Sequence, residues 1–279
     1  MLNHPVGHCP PWLRAGFAAR GAFSPELRRD VTCAVWADLS AAVVAKVYRP
    51  GDFARAHIEA ATATAAAAAG VDTPALLGVQ VSDDHAVTWW RWREGAATSD
   101  PLDVVGLLRV LHDRANPDGL PACAQAPPRP VLADPGARAL AVALAPMIAA
   151  AGAAAARLRD LPVVVVHGDP NPTNVLVGAG GLVLLDFGSG GPGPRVLDVT
   201  AAVVLAVECG SATPVQVLAA YGAHPDVTRQ ALADAELVVA ADRAGICYTI
   251  PGWLDEGWER HAAWRAGRRY VFGAGNHPK

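Results

Sequence analysis

The sequence lacks the features that mark several classes of protein. Only 18% of its 279 residues are charged and the formal net charge is −3, which gives no excess of basic charge for nucleic acid or an anionic membrane surface. Its five cysteines, an odd number without a CxxC pair, argue against a zinc site and for free thiols in a reducing cytoplasm. The first residues contain neither a basic segment nor an apolar core, so no secretory signal is predicted.

The chain also lacks a convincing membrane span. The most apolar stretch, Ala137–Ala156, consists mostly of alanine and contains Arg138, Pro146 and Gly152. We therefore predict a buried or amphipathic helix of a soluble protein and no membrane partner. Hydrophobic residues make up 52% of the chain, which is enough for a sizeable core.

Lysine is almost absent, which draws attention to the one internal lysine. Lys46 is the only lysine before residue 279, and it lies in the β-rich run Ala41–Tyr48, which forms a predicted hairpin with Val31–Ala37. A lysine among apolar strand residues loses hydration unless it meets an anion. Phosphate oxygens and Glu59, which opens the predicted helix Ile58–Ala69, are the candidate anions. The alternatives are a strand-edge lysine that reaches solvent and an ordinary first-turn glutamate.

The segment Val163–Asp186, VVVVHGDPNPTNVLVGAGGLVLLD, carries the strongest chemical signal. Its valine-rich runs predict a strand, a polar loop and a hairpin that returns through Leu182–Leu185. Such a hairpin brings Asn174 and Asp186 to the same end, beside Asp169. A carboxylate that accepts a proton, with an amide oxygen and a second carboxylate that share a metal ion, is what phosphoryl transfer from ATP requires.

The pattern HGDxxxxN followed by Asp-Phe-Gly resembles the aminoglycoside phosphotransferase family, within the protein-kinase-like superfamily. The resemblance implies that Asp169 is the catalytic base and that Asn174 and Asp186 bind Mg²⁺. Asp198, in GPRVLDVT, resembles the family's later aspartate, which braces the catalytic loop from the following helix. His167 is expected to support the same loop.

The resemblance also implies the fold and the cofactors. We expect an α+β, bilobal, protein-kinase-like fold, with residues 1–95 as a small β-rich nucleotide-binding lobe. Residues 96–279 are expected to form a larger, mainly helical lobe with the catalytic and acceptor sites. ATP, with GTP as an open alternative, and Mg²⁺ are the expected cofactors, and Lys46 and Glu59 would position the phosphates.

The remaining nucleotide contacts are less clearly marked. Neither GxGxxG nor GxxxxGK[ST] precedes the first predicted hairpin, so we place the nucleotide flap at Phe23 and Ser24, where backbone N–H groups can meet phosphates. An irregular loop explains these two residues equally well. A hinge after the strand Val87–Trp92 would place adenine near the backbone of Arg91 and Arg93.

The acceptor region is predicted from charge alone. Residues 198–259 contain nine acidic residues and two arginines, a field that would attract a cationic acceptor. The alternative is a set of solvated helix faces. The candidate acceptor-binding residues are Asp242, Asp255, Glu256 and Glu259.

The sequence therefore predicts a cytoplasmic enzyme, monomeric or homodimeric, that phosphorylates a hydroxyl group of a small molecule. We favour a cationic antibiotic of the aminoglycoside or cyclic-peptide type, with resistance or self-protection as the role. A metabolic kinase that acts on an amino alcohol, a sugar or a homoserine-like compound is the alternative. A catalytically dead nucleotide-binding module is disfavoured, because Lys46, Asp169, Asn174 and Asp186 are all chemically competent.

Overall fold

A five-stranded antiparallel sheet occupies the first third of the chain. The computed structural model describes residues 9–30, 33–49, 52–98, 100–122, 134–247 and 253–266. The elements of this part are α1 (Pro11–Ala18), β1 (Glu26–Asp30), β2 (Ala34–Asp38), β3 (Val43–Tyr48), α2 (Phe53–Ala68), β4 (Leu76–Val81) and β5 (Ala86–Arg91). The strand order is β1-β2-β3-β5-β4.

Alternation along β3 decides which side chains reach the site. Ala45 and Val47 pack with Leu13 and Phe17 of α1 on one face of the sheet. Because successive strand residues point to opposite faces, Lys46 lies on the other face, where α2 packs. The charged lysine is thereby kept out of the apolar cluster and directed towards α2.

The predicted hairpin of β2 and β3 is confirmed, although its boundaries differ from those expected. Lys46 pairs with Val35 across the antiparallel strands, but β2 begins at Ala34; residues 31 and 32 lie outside the described part of the chain. The prediction also missed β1, whose sequence ELRRD lacks the apolar alternation by which strands are recognised. Helix α2 begins at Phe53, five residues before the predicted start, so Glu59 lies in its second turn.

The rest of the described chain is mainly helical. Its helices are α3 (Pro101–Arg114), α4 (Pro135–Leu158), α5 (Val196–Glu208), α6 (Pro214–Tyr221), α7 (Arg229–Cys247) and α8 (Leu254–Arg265). Its short strands are β6 (Ala96–Ala97), β7 (Val163–Val166), β8 (Val175–Gly178), β9 (Gly181–Leu184) and β10 (Gly191–Pro194). Strand β7 pairs with β10, and β8 lies between β6 and β9. The predicted strand and hairpin around the catalytic loop are therefore confirmed, and the α+β class is correct.

Helix α4 contains the apolar stretch noted in the sequence. Over the described residues it is the one helix long and apolar enough, by length and composition alone, to cross a membrane. Its buried side chains, including Leu140, Leu144 and Met147, pack against Ala240 and Ala244 of α7. Helix α4 thus uses one face for packing within the folded domain.

A continuous core joins the sheet to the helical part. It includes Ala66 of α2 and Trp90 of β5 together with Leu108 of α3, Leu184 of β9 and Phe187. This core holds α2 and β5 against the loops that carry the candidate catalytic residues. The division into two lobes after residue 95 stays a prediction.

Candidate active site

The loop His167–Asp169 follows β7 and is held from beneath by Asp198. Asp198 lies in the first turn of α5 and is 1% exposed. Its carboxylate accepts hydrogen bonds from the backbone N–H groups of His167, at 2.6 Å, and Gly168, at 2.8 Å. His112 of α3 donates to the same carboxylate through Nε2 at 3.0 Å. Burial alone would raise the pKa of Asp198, but the hydrogen bond from His112 and those from the loop hold it below its usual value. An ionised carboxylate therefore fixes the start of the loop.

His167 supports the loop from inside the core. Its Nε2 lies 2.7 Å from the carbonyl oxygen of Leu185, and the N–H of Asp169 donates to its Nδ1 at 3.3 Å. A carbonyl only accepts and an N–H only donates, so these contacts assign a neutral imidazole with its proton on Nε2. The ring also packs against Phe187, with 4.9 Å between ring centroids. This fully buried histidine has the position expected of a supporting residue.

Gly168 is required by the close approach of two loops. Its φ of +81° lies in the left-handed region, and a Cβ built at this position would lie 1.9 Å from the carbonyl oxygen of Ser189. No residue with a side chain fits without moving that backbone. The glycine lets the catalytic loop touch the segment that follows Asp186.

Asn174 links the other two residues predicted from the loop motif, because it is hydrogen-bonded to Asp169 and lines the same cavity as Asp186. Asp169 is exposed, and Asn174 donates through Nδ2 to its backbone oxygen at 3.0 Å and to its Oδ2 at 3.2 Å. Because the amide nitrogen is used in this way, the amide oxygen of Asn174 is the atom left for a metal ion. The carboxylate of Asp186 supplies a second oxygen. This pair fits Mg²⁺, which takes oxygen ligands and keeps waters and substrate phosphates for the rest.

Lys46 bridges two carboxylates. Its Nζ lies 2.6 Å from Oε1 of Glu59 and 2.8 Å from Oδ1 of Asp186. Burial alone would lower the pKa of Lys46, but the two acids raise it well above its usual range. The Lys46 ammonium holds the pKa of Asp186 well below its usual range. Burial raises the pKa of Glu59 to about 7; the charge of the nearby Asp186 carboxylate adds to this rise, and the Lys46 ammonium opposes it.

A cavity of about 220 Å³ adjoins this ion-pair cluster. Its lining residues are Cys33, Val35, Val44, Lys46, Glu59, Ala63, Pro74, Trp90, Arg91, Trp92, Arg93, Thr173, Asn174, Leu176, Leu185, Asp186 and Phe187. An apolar cleft with a few convergent polar groups is typical of a site for a flat, charged ligand such as a nucleotide. Sequence reasoning missed Cys33, Val35, Leu176 and Leu185, although their places next to the hairpins were a usable signal.

The predicted hinge residues line the cavity, whereas the predicted flap residues do not. Arg91 and Arg93 both contribute to the wall, and Arg93 forms an ion pair with Asp72. The N–H groups of Phe23 and Ser24 instead donate to Asp38 at 2.8 and 2.7 Å. These N–H groups are thus engaged by a carboxylate within the fold, which argues against the predicted phosphate role of Phe23 and Ser24.

The four candidate acceptor residues are exposed and lie on two helices. Asp242 is on α7, and Asp255, Glu256 and Glu259 are on α8. Glu256 forms an ion pair with Arg260 one turn later, and Arg260 also contacts Glu208 at the end of α5. Their role in binding an acceptor stays a prediction. Over the described part of the chain, no group of three or more His, Cys, Asp and Glu residues forms a further metal site.

Three features together define a protein-kinase-like phosphotransferase. They are the five-stranded sheet, the lysine–glutamate pair beside a cleft, and the cluster of Asp169, Asn174 and Asp186. Residues 28–234 match the phosphotransferase enzyme family, APH. The chain belongs to this family and is a small-molecule kinase. The comparison with curated proteins gave no match.

Solved structures with the same fold are similar over most of their length. A choline/ethanolamine kinase family protein from Mesorhizobium loti is 21% identical, with 92% of this chain and 90% of that chain covered and a TM-score of 0.58. The aminoglycoside phosphotransferase APH(3'')-Id from Streptomyces rimosus is 17% identical, with coverage of 82% and 97% and a TM-score of 0.60. The choline kinase LicA from Streptococcus pneumoniae is 14% identical, with coverage of 92% and 97% and a TM-score of 0.61. At these identities the similarity shows the fold, which confirms the predicted kinase-like class.

Proposed function

We propose that this chain transfers the γ-phosphoryl group of ATP to a hydroxyl group of a small cationic antibiotic, of the aminoglycoside or cyclic-peptide type, in the cytoplasm. The phosphoryl-transfer part is supported by one observation: Lys46, Asn174 and Asp186 line the same cavity, and Asn174 is hydrogen-bonded to Asp169. Resistance or self-protection is the proposed role. GTP remains an alternative donor.

The proposed roles follow from chemistry and position. Asn174, through its amide oxygen, and Asp186 would hold Mg²⁺, which neutralises charge on the transferred phosphoryl group. Lys46 would contact the nucleotide phosphates, and Glu59 would hold the lysine in place. Asp169, the exposed carboxylate of the cluster, would orient the acceptor hydroxyl and receive its proton. Because the transition state is loose, positioning and charge neutralisation supply most of the acceleration.

Two observations favour a cationic acceptor. Asp242, Asp255 and Glu259 are exposed on α7 and α8, where their charge can attract a cation, whereas the exposed Glu256 shares its charge with Arg260. In addition, APH(3'')-Id has been solved with ADP and streptomycin, and APH(4)-Ia with ADP and hygromycin B. The four residues are proposed as acceptor contacts on this basis.

The second candidate is a metabolic kinase that acts on an amino alcohol, a sugar or a homoserine-like compound. It is supported by the similarity to a choline/ethanolamine kinase family protein and to choline kinase LicA. Choline is also a cationic alcohol, so the same acidic surface fits both proposals.

A coupled ADP-release assay with Mg·ATP separates the two candidates. The panel should contain aminoglycoside, cyclic-peptide and nucleoside antibiotics, together with choline, ethanolamine, homoserine and simple sugars. Turnover on a cationic antibiotic supports the first proposal, whereas turnover confined to a metabolite supports the second. Asp169→Asn serves as the inactive control, and Asp160→Asn, an exposed aspartate in the turn after α4, serves as the matched active control.

A further inference from the structure

Arg55 connects α2 directly to the turn that follows Asp186. Its Nε donates to the carbonyl oxygen of Gly188 at 3.0 Å, and its Nη2 donates to Oγ of Ser189 at 3.2 Å. Arg55 lies one helical turn before Glu59, so both residues point from the same face of α2. Helix α2 therefore contacts the proposed metal-binding segment at two points. Glu59 binds Lys46, which contacts Asp186, and Arg55 contacts Gly188 and Ser189 directly.

The turn held by Arg55 starts from a strained residue. Asp186 has φ 62° and ψ 61°, the left-handed conformation that residues with a Cβ rarely adopt. Such a conformation persists only where surrounding contacts enforce it. The turn Phe187–Ser189 is enclosed closely, because a Cβ at the next residue, Gly190, would lie 2.8 Å from both Thr62 Cγ2 of α2 and the carbonyl oxygen of Val166.

We propose that Arg55 is a positioning residue for metal–nucleotide binding, which it supports by holding the turn Phe187–Ser189 and thereby the orientation of the Asp186 carboxylate. An arginine suits this task, because its planar fork fixes two acceptors at once, whereas a lysine ammonium offers one mobile point charge. The inference rests on the proposed function, since it assumes that Asp186 binds the metal ion.

The test is a titration of a fluorescent ATP analogue, methylanthraniloyl-ATP, in EDTA and over a series of Mg²⁺ concentrations. In Arg55→Met we expect the Mg²⁺ concentration at half-maximal binding to rise about tenfold or more, the usual effect of losing a group that orients a metal ligand. Affinity for the analogue in EDTA should not change. Arg55→Lys should be intermediate, because it keeps the charge and loses the fork.

Two further variants make the result specific. Arg14→Met removes an exposed arginine from α1 and should bind metal and nucleotide as the wild type does. Ser189→Ala removes a single contact of Arg55 and should shift the Mg²⁺ midpoint less than Arg55→Met. If Arg55→Met is too unstable to purify, Ser189→Ala and Arg55→Lys decide the question.

An unchanged Mg²⁺ midpoint in Arg55→Met overturns the inference. So does an equal loss of binding in EDTA and in Mg²⁺, which would indicate a general effect on the fold. If the wild type itself fails to bind the analogue under every condition, the proposed function fails, and that outcome is distinct from a failure of Arg55 alone.

Discussion

The ammonium nitrogen of Lys46 lies 2.8 Å from Oδ1 of Asp186, although the two residues are 140 positions apart in the chain. The pair joins a strand of the five-stranded sheet to the segment that follows β9. Lys46 contacts Glu59 at the same time, so one cation balances two acids. A metal ion that binds Asp186 has to share this carboxylate with Lys46 or release the lysine towards the nucleotide phosphates.

Lys46→Met should weaken nucleotide binding strongly. The variant loses the cation proposed to contact the phosphates and leaves Glu59, 2% exposed, without its partner. We expect KM for Mg·ATP to rise on the order of tenfold to a hundredfold, by analogy with the loss of a charged hydrogen bond worth about 1.5–3 kcal/mol. Steady-state kinetics at fixed acceptor concentration measure this, and an unchanged KM would remove Lys46 from the nucleotide site.

Glu59→Gln should change how stability depends on pH. Burial raises the pKa of Glu59 from 4.5 to about 7, so between these values the folded protein keeps a proton that the unfolded chain has released. Glu59 is neutral in both states at lower pH, and its effect is to reduce stability as the pH rises from 4.5 to about 7. Glutamine does not titrate, so the variant lacks this pH-dependent loss of stability. Urea unfolding across the interval should therefore show a shallower decline for the variant, and parallel curves would contradict the assignment.

Asp169→Asn should separate chemistry from binding. We expect kcat to fall by roughly 10²–10⁴, the usual range for a lost general base. Nucleotide affinity should stay close to that of the wild type, because Asp169 is an exposed residue outside the cavity lining and retains a polar group in the variant. Asp160→Asn controls for a general effect of removing surface charge. Unchanged turnover in Asp169→Asn would exclude its role as the base.

Gly168→Ala should disrupt the contact between the catalytic loop and the segment after Asp186. The added Cβ would lie 1.9 Å from the carbonyl oxygen of Ser189, at a φ of +81°. The left-handed conformation alone costs about 1–2 kcal/mol for alanine, and the overlap adds to it. Gly180→Ala is the matched control, since nothing lies within 4 Å of its added Cβ. The melting temperature and kcat should both fall in Gly168→Ala, and neither should fall in Gly180→Ala.

Asp38→Asn should weaken the hydrogen bonds that hold the segment between α1 and β1 and so lower the stability of the fold. The Asp38 carboxylate accepts the N–H groups of Phe23, Ser24, Ser40 and Ala41 and the hydroxyl of Ser40. The hydrogen bonds, foremost that from Ser40, lower its pKa from 3.8 to about 2. Its stabilisation is therefore present above pH 3.8 and is lost as the pH falls towards 2. The difference in unfolding free energy between wild type and Asp38→Asn should shrink over that interval.

The motif in Val163–Asp186 was sufficient to predict the local arrangement of the loop and hairpin. Asp169 and Asn174 are five positions apart on one loop, and the hairpin β8–β9 returns the chain to Asp186, so short-range geometry alone brings them together. The lysine was also identifiable, because a lone strand lysine needs an anion. The segments that were predicted poorly, β1 and the start of α2, carry charged or alanine-rich sequences without a clear apolar period.

The sequence by itself therefore determined the family and the fold class, through the resemblance of its HGDxxxxN and Asp-Phe-Gly motifs to those of a known family. It also predicted that Asp169 and Asn174 lie together, because they are five positions apart on one loop. Only the tertiary structure decided that Asp38 holds the N–H groups of Phe23 and Ser24, that Arg55 holds the turn after Asp186, and that Lys46 bridges two acids. The physical reason is that these partners lie 13 to 140 positions apart. Packing of α2 against the turn after Asp186 and of the segment before β1 against the β2–β3 turn brings such partners together, and that packing is not encoded in any local pattern.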